Sequence, residues 1–217
     1  MTTILDLRQI QRDLSELRER KALVFGSEGH RFKLNPPLDE KGIRDFERDH
    51  GVSLPQDYRY FLSSIGNGGA GPFYGIFSLG KMDGLAGKTV SWREGDGLIG
   101  SLRSPFPLRE SWNDLTELRA LEGLSVDSTE FERELEKYEA AHWDSSRMNG
   151  ALPISHMGCA LRVWLVVTGD EAGFLWRDGR ADDSGISPLL LRDGSKARFA
   201  SWYLEWLSDA LIGVEEK

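Results

Sequence analysis

A single cysteine, Cys159, leaves the chain without a partner for an intramolecular disulfide, and 217 residues can bury a core without one. That usage suits a reducing compartment. No run of residues approaches the ~20 consecutive apolar positions of a membrane-spanning helix. The opening residues, Met1-Thr2-Thr3-Ile4-Leu5-Asp6-Leu7-Arg8, lack the basic-then-apolar order of a secretory leader. A cytoplasmic location without membrane contact is expected. Histidine is scarce as well: His30, His50, His142 and His156 have no ligand spacing, so no metal and no cofactor are expected. Basic charge is the minority, 27 Lys and Arg against 35 Asp and Glu for a net −8, which argues against direct binding to a nucleic-acid backbone. An acidic surface suits a basic protein partner better.

What the chain does contain is ordinary for a folded domain: 40% hydrophobic and 29% charged residues, without low-complexity stretches or repeats. Over residues 3–21, Ile4, Leu7, Leu14 and Leu17 share one helical face, which predicts an amphipathic helix that could serve self-association. Residues 1–38 are therefore read as that helix plus a connection ending at Pro36-Pro37. A second helix is expected over 40–50, with Asp39 as N-cap and Gly51 as its left-handed stop. A third starts at Pro55 and places Tyr58, Phe61, Leu62 and Ile65 on one face before Gly66 ends it. A strand is expected over 72–79, with short strand segments near 89–92 and 98–99. Residues 127–141 read as a Glu-rich helix. A hairpin follows, 161–168 against 173–177 around the turn Gly169-Asp170-Glu171-Ala172, with another strand near 186–191. The last helix, near 197–212, carries Phe199, Trp202, Tyr203 and Trp206.

One segment carries a specific resemblance. The run Leu54-Pro55-Gln56-Asp57-Tyr58 with Phe61-Leu62, followed by Gly66-Asn67-Gly68-Gly69-Ala70-Gly71-Pro72-Phe73-Tyr74-Gly75, resembles the signature of the SUKH superfamily, the Smi/Knr type. The likeness extends through Pro105-Phe106-Pro107-Leu108, Trp112-Asn113, Gly150-Ala151-Leu152-Pro153-Ile154, Val163-Trp164-Leu165-Val166-Val167 and Trp202-Tyr203-Leu204-Glu205-Trp206-Leu207. It covers about 39–208, so 39–212 is read as one SUKH-like domain in which 117–147 is a charged helical insertion. The resemblance implies an α+β fold, a curved and mostly antiparallel sheet flanked by helices, and a protein-binding role with no catalytic constellation to transfer. Bacterial members are similar to immunity proteins that neutralise a cognate toxin; other members look like intracellular regulators or scaffolds. A toxin-neutralising, non-enzymatic binding protein is the expectation, with the scaffold as its alternative.

Three chemical readings compete. Gly66 to Gly71 follows a helix and enters a strand, the reverse of the order that aims backbone N–H groups at a phosphate. Residues 82–89 end like a phosphate loop, in Gly87-Lys88-Thr89, but Met82 stands where its first glycine belongs. His156 and Cys159 lack the further groups that a nucleophile or a metal ligand needs. The binding face is instead expected on the loops of 80–104 and 168–185. There Trp92 and Trp176 are candidate surface anchors. Glu94, Asp96, Asp170, Glu171, Asp178, Asp182 and Asp183 are candidates for one negative patch that meets a basic toxin domain of nuclease type.

Overall fold

The computed structural model describes residues 4–84, 88–95 and 98–215. Helix α1 (Leu7–Glu19) begins where Asp6 accepts hydrogen bonds from the N–H groups of Arg8 and Gln9, and it buries Ile10, Leu14 and Leu17. These residues join the common core, with α1 against the C-terminal helix, so the apolar face that could have served self-association is covered within the chain. A short α2 (Ser27–His30) precedes α3 (Glu40–His50), whose N-cap Asp39 and left-handed stop at Gly51 are as the sequence predicts. Helix α4 (Gln56–Tyr60) widens into one π-helical turn, Phe61–Ile65, closed by the Gly66 N–H on the Phe61 carbonyl at 2.9 Å. That turn buries Phe61, Leu62 and Ile65 together.

A two-stranded ribbon, β1 (Lys81–Asp83) with β2 (Thr89–Ser91), forms a sheet of its own, tied to the main sheet by the Asp83–Arg162 ion pair at 2.7 Å. Two helices follow, α5 (Thr116–Arg119) and α6 (Thr129–His142). The main sheet is an antiparallel meander of β3 (Ala151–Gly158), β4 (Leu161–Val166), β5 (Leu175–Gly179) and β6 (Gly185–Pro188). Consecutive residues of β4 from Arg162 to Val166 are buried, so both faces of the sheet are covered. The chain closes with α7 (Phe199–Glu215). The result is a mixed α+β domain with antiparallel sheets, as expected.

The signature around Pro55 is explained by what α7 requires. Asp57 Oδ2 accepts the Ala200 N–H at 3.0 Å, capping the first turn of a helix far along the chain. Tyr58 and Phe61 both lie edge-on to Phe199, with ring centroids 4.9 Å apart in each pair. Tyr203 returns the link by donating its hydroxyl to the Ala70 carbonyl in the glycine corner. Within that corner Gly68, Gly69 and Gly75 adopt positive φ, whereas Gly66 is extended at 176°. At Gly69 a Cβ would stand 2.5 Å from the Lys33 carbonyl oxygen, so only glycine admits the connection that crosses there.

Two expectations fail locally. Residues 72–79 form no continuous strand: Phe73 and Gly75, at φ 54° and 98°, break the extended path. Only Ile76 bridges, to Gly69 and to Ser155. The segment at 98–99 is likewise loop. Conversely, residues 151–158, to which the sequence alone assigns no element, form β3, although Pro153 and Gly158 interrupt its alternation. It tolerates them as an edge strand with register shifts between Pro153 and Ser155 and between His156 and Gly158.

Both edges of the main sheet are occupied. Phe77 and Tyr74 donate N–H bonds to the carbonyls of Ile154 and His156 on β3. Trp112 and Ile186 exchange both backbone bonds at 2.8 Å on β6. Among the described residues no helix is long and apolar enough to cross a membrane.

Candidate protein-binding surface

The loops between strands distribute the acidic candidates instead of gathering them. Asp170 and Glu171 sit in the β4–β5 turn, whereas Asp182 and Asp183 sit in the β5–β6 turn at the other end of β5. Five residues of strand separate the two sites, roughly 17 Å at ~3.4 Å per residue. The members are also engaged. Asp170 pairs with Arg109, and Glu171 accepts from Lys196 at 2.6 Å. Glu94 accepts the Leu102 N–H at 3.1 Å and contacts His50. Asp96 lies outside the described residues.

Three candidates are interior. Trp176 is fully buried against Phe106, and Trp92 is 8% exposed, packed on Phe46 and His50. Both therefore belong to the core and present no ring to a partner. Asp178 is 3% exposed and forms a buried pair with Arg180. It takes no part in an acidic surface.

That pair organises the surface that does exist. The Asp178 carboxylate accepts the Arg180 backbone N–H, its Nε at 2.9 Å and its Nη2 at 2.8 Å. The remaining arm of the guanidinium donates to the His142 carbonyl at 3.1 Å, while His142 Nε2 lies 2.9 Å from the Arg180 carbonyl. Arg180 thus clamps the C-terminal end of α6 to the tip of the sheet. Tyr138, one helical turn earlier, donates its hydroxyl to Asp183 at 3.0 Å. Burial first, and the Asp183 bond second, push the Tyr138 phenol up to about 12, so it remains a donor. Arg147 completes the attachment by lying 3.9 Å over the Trp112 ring and donating to the Ala141 carbonyl.

What this clamp holds out is an acidic arm. Residues 116–144, which carry α5 and α6, contain nine acidic side chains and three basic ones. Ser128 caps α6 by accepting the Phe131 N–H at 3.1 Å. Phe131, Leu135, Tyr138 and His142 then recur along the inner face. Glu132, Glu136 and Glu139 are exposed along its flank, and Val126 is 68% exposed in the connection between the helices. The Asp182 carboxyl sits below its usual range, held first by the Ser184 hydroxyl and also by Arg177. The arm and the β5–β6 turn therefore form one acidic end of the molecule.

The chemical alternatives fall differently. Met82 and Lys88 lie on the two sides of the β1–β2 ribbon, where Asp83 faces Thr89, so no helix follows the loop to present its N-terminus to a phosphate; 85–87 lie outside the described residues. His156 stacks on Tyr74 at 5.5 Å, and Cys159 is exposed in the β3–β4 turn. Among the described residues no group of three or more His, Cys, Asp or Glu is placed to hold a metal.

From the sequence alone Arg180, Tyr138 and His142 receive no role. The nearest signal was the Asp178-Gly179-Arg180 spacing at a strand end, which resembles an ordinary solvated turn until both side chains are seen to point inward. The acidic excess of 127–141 was visible, but nothing local linked it to the sheet. Residues 37–187 match the family model described as SMI1 / KNR4 family (SUKH-1). No curated protein and no solved structure matches the chain.

Proposed function

Because the chain belongs to the SMI1 / KNR4 family (SUKH-1), we propose that it is an immunity protein, which binds a bacterial toxin with a basic surface and blocks it by occlusion. The observation that carries this reading is the acidic arm. Eight carboxylates against three cations on α5, α6 and their connection concentrate negative charge on an element clamped to one end of the sheet. A predominantly acidic projection of this kind draws in a positively charged partner and raises its association rate by about 10- to 1,000-fold. Glu132, Glu136, Glu139, Asp182 and Asp183 are the proposed contact residues, and occlusion requires neither cofactor nor chemistry.

The test pairs protection with charge. Co-expression should rescue cells from the toxin encoded beside the gene, and the purified toxin domain should bind. Reversing Glu132, Glu136 and Glu139 to Lys should slow association at least tenfold and flatten its salt dependence, while Asp170→Lys at the far end of β5 should change little. Failure to protect against any neighbouring toxin would replace immunity with a regulatory scaffold of the same family. Protection that survives the triple reversal unchanged would remove the arm from the interface.

A further inference from the structure

A second surface has the opposite character and lies outside the segment that matches the family. Residues 17–33 wrap the glycine corner and form an open groove of about 640 Å³, with Leu17, Ala22 and Phe32 among the apolar residues that line it. Its lining includes four cations, Arg18, Lys21, Arg31 and Lys33, and a single carboxylate, Glu28. Leu23 is 87% exposed and Phe25 64%. Phe25 meets the exposed Tyr74 edge-on at 5.4 Å, which joins this groove to the neighbouring cleft lined by Lys33 and Lys88. Among the described residues Lys21, Arg31, Lys33 and Lys88 make no ion pair, whereas ten of the chain's 19 arginines do. Uncompensated positive charge collects around exposed aromatic rings on a protein whose net charge is −8.

The backbone there is held in place. Lys21, Arg31, Phe32 and Phe73 all have φ between 49° and 54°, a region that non-glycine residues, and bulky ones above all, rarely occupy. At Gly26 a Cβ would stand 2.2 Å from the Phe73 carbonyl oxygen, so the loop and the corner touch backbone to backbone. Arg18 donates to the Phe32 carbonyl at 2.9 Å, and the Ala70 N–H donates to the Lys33 carbonyl at 2.8 Å. A preformed groove with aromatic and cationic walls has the composition of a protein-recognition site. A lipid surface would require no such fixed shape.

We propose that this groove docks an acidic segment of a partner protein, seating one large apolar side chain beside Phe25 while Lys21, Arg31 and Lys33 meet the flanking carboxylates. The groove borders β3 through Tyr74 whereas the arm attaches beside β6, and the two are complementary in sign, so one molecule can hold a basic partner on one surface and an acidic one on the other.

Fluorescence anisotropy with short labelled peptides of Asp and Glu around a central Phe, Trp, Leu or Ala tests the site directly on the intact chain. Saturable binding is expected, about tenfold tighter for a central aromatic than for Ala and weakened by salt. Lys21→Glu with Arg31→Glu should lower affinity at least tenfold, whereas Phe25→Ala should erase the aromatic preference and keep the salt dependence. The arm reversal at Glu132, Glu136 and Glu139 should leave peptide binding intact, which keeps this result independent of the toxin reading. Absence of binding to every peptide, or binding indifferent to both groove variants, would overturn the proposal. So would phosphatidylserine vesicles, or a concentration-dependent dimer, taking the place of the peptides with the same dependence on Phe25.

Discussion

Removing the Arg180 guanidinium should destabilise the fold and loosen the arm by separable amounts. Its side chain is fully buried, and the Asp178 side chain is 4% exposed. Arg180→Met therefore leaves a carboxylate in a dry site without its two side-chain donors, and leaves the His142 carbonyl unpaired as well. Breaking a buried pair from one side costs about 3–5 kcal/mol, a large share of the ~5–15 kcal/mol that holds a domain folded. Replacing both partners, Arg180→Met with Asp178→Leu, removes the stranded charge and should recover most of that loss, since an apolar pair of similar volume is often neutral. The guanidinium bond to the His142 carbonyl does not return in the double variant, which keeps only the contact of His142 Nε2 with the backbone carbonyl of residue 180. Urea denaturation should thus show a deep loss in the single variant and a shallow one in the double. Amide exchange over 129–142 should be fast in both. A cost below about 1 kcal/mol for Arg180→Met, or an arm as protected in the double variant as in the native chain, would refute the clamp.

Three further outcomes follow from particular residues. Burial lowers His30 from 6.5 to about 4, so the unfolded chain takes up a proton that the folded chain refuses between those values. Stability should fall as pH drops through that window, by at most about 3 kcal/mol, and His30→Gln should flatten the fall in a pH series of urea melts. Gly26→Ala meets the Phe73 carbonyl and keeps a φ of 75°. It should lower the thermal midpoint by at least about 3 °C in a calorimeter, corresponding to a penalty above about 1 kcal/mol. Asp57→Ala removes the acceptor for the Ala200 N–H and should cost about 1 kcal/mol by chemical denaturation.

Local rules made much of the fold readable. Asp39 and Gly51 bound α3 because capping and the left-handed stop act within a few residues. The β4–β5 hairpin was visible because its apolar runs flank a short polar turn. The breaks came where a distant part of the chain decided the outcome. Residues 151–158 carry a proline, which a strand tolerates here because β3 is an edge of the main sheet. Trp176 and Asp178 sat in a charged-looking stretch, yet Phe106 covers one and Arg180 neutralises the other. Alternation along a strand cannot distinguish an outward carboxylate from an inward one that has its cation two residues away. Likewise the Glu-rich stretch was evident, but its attachment depends on Tyr138 meeting Asp183 across 45 residues.

The occupied margins of the main sheet bear on how any partner can be recognised. A peptide commonly joins a β-domain by lying along a free strand and extending the ladder, main chain to main chain. Here Tyr74 and Phe77 already use the outward carbonyls of His156 and Ile154, and Trp112 already satisfies Ile186. The next outward position on that second margin is Pro188, which has no N–H to give. The ladder is closed to templated growth, which guards the chain against edge-to-edge aggregation. Recognition by this sheet is left to side chains, whose identities can change between relatives without disturbing a single backbone bond.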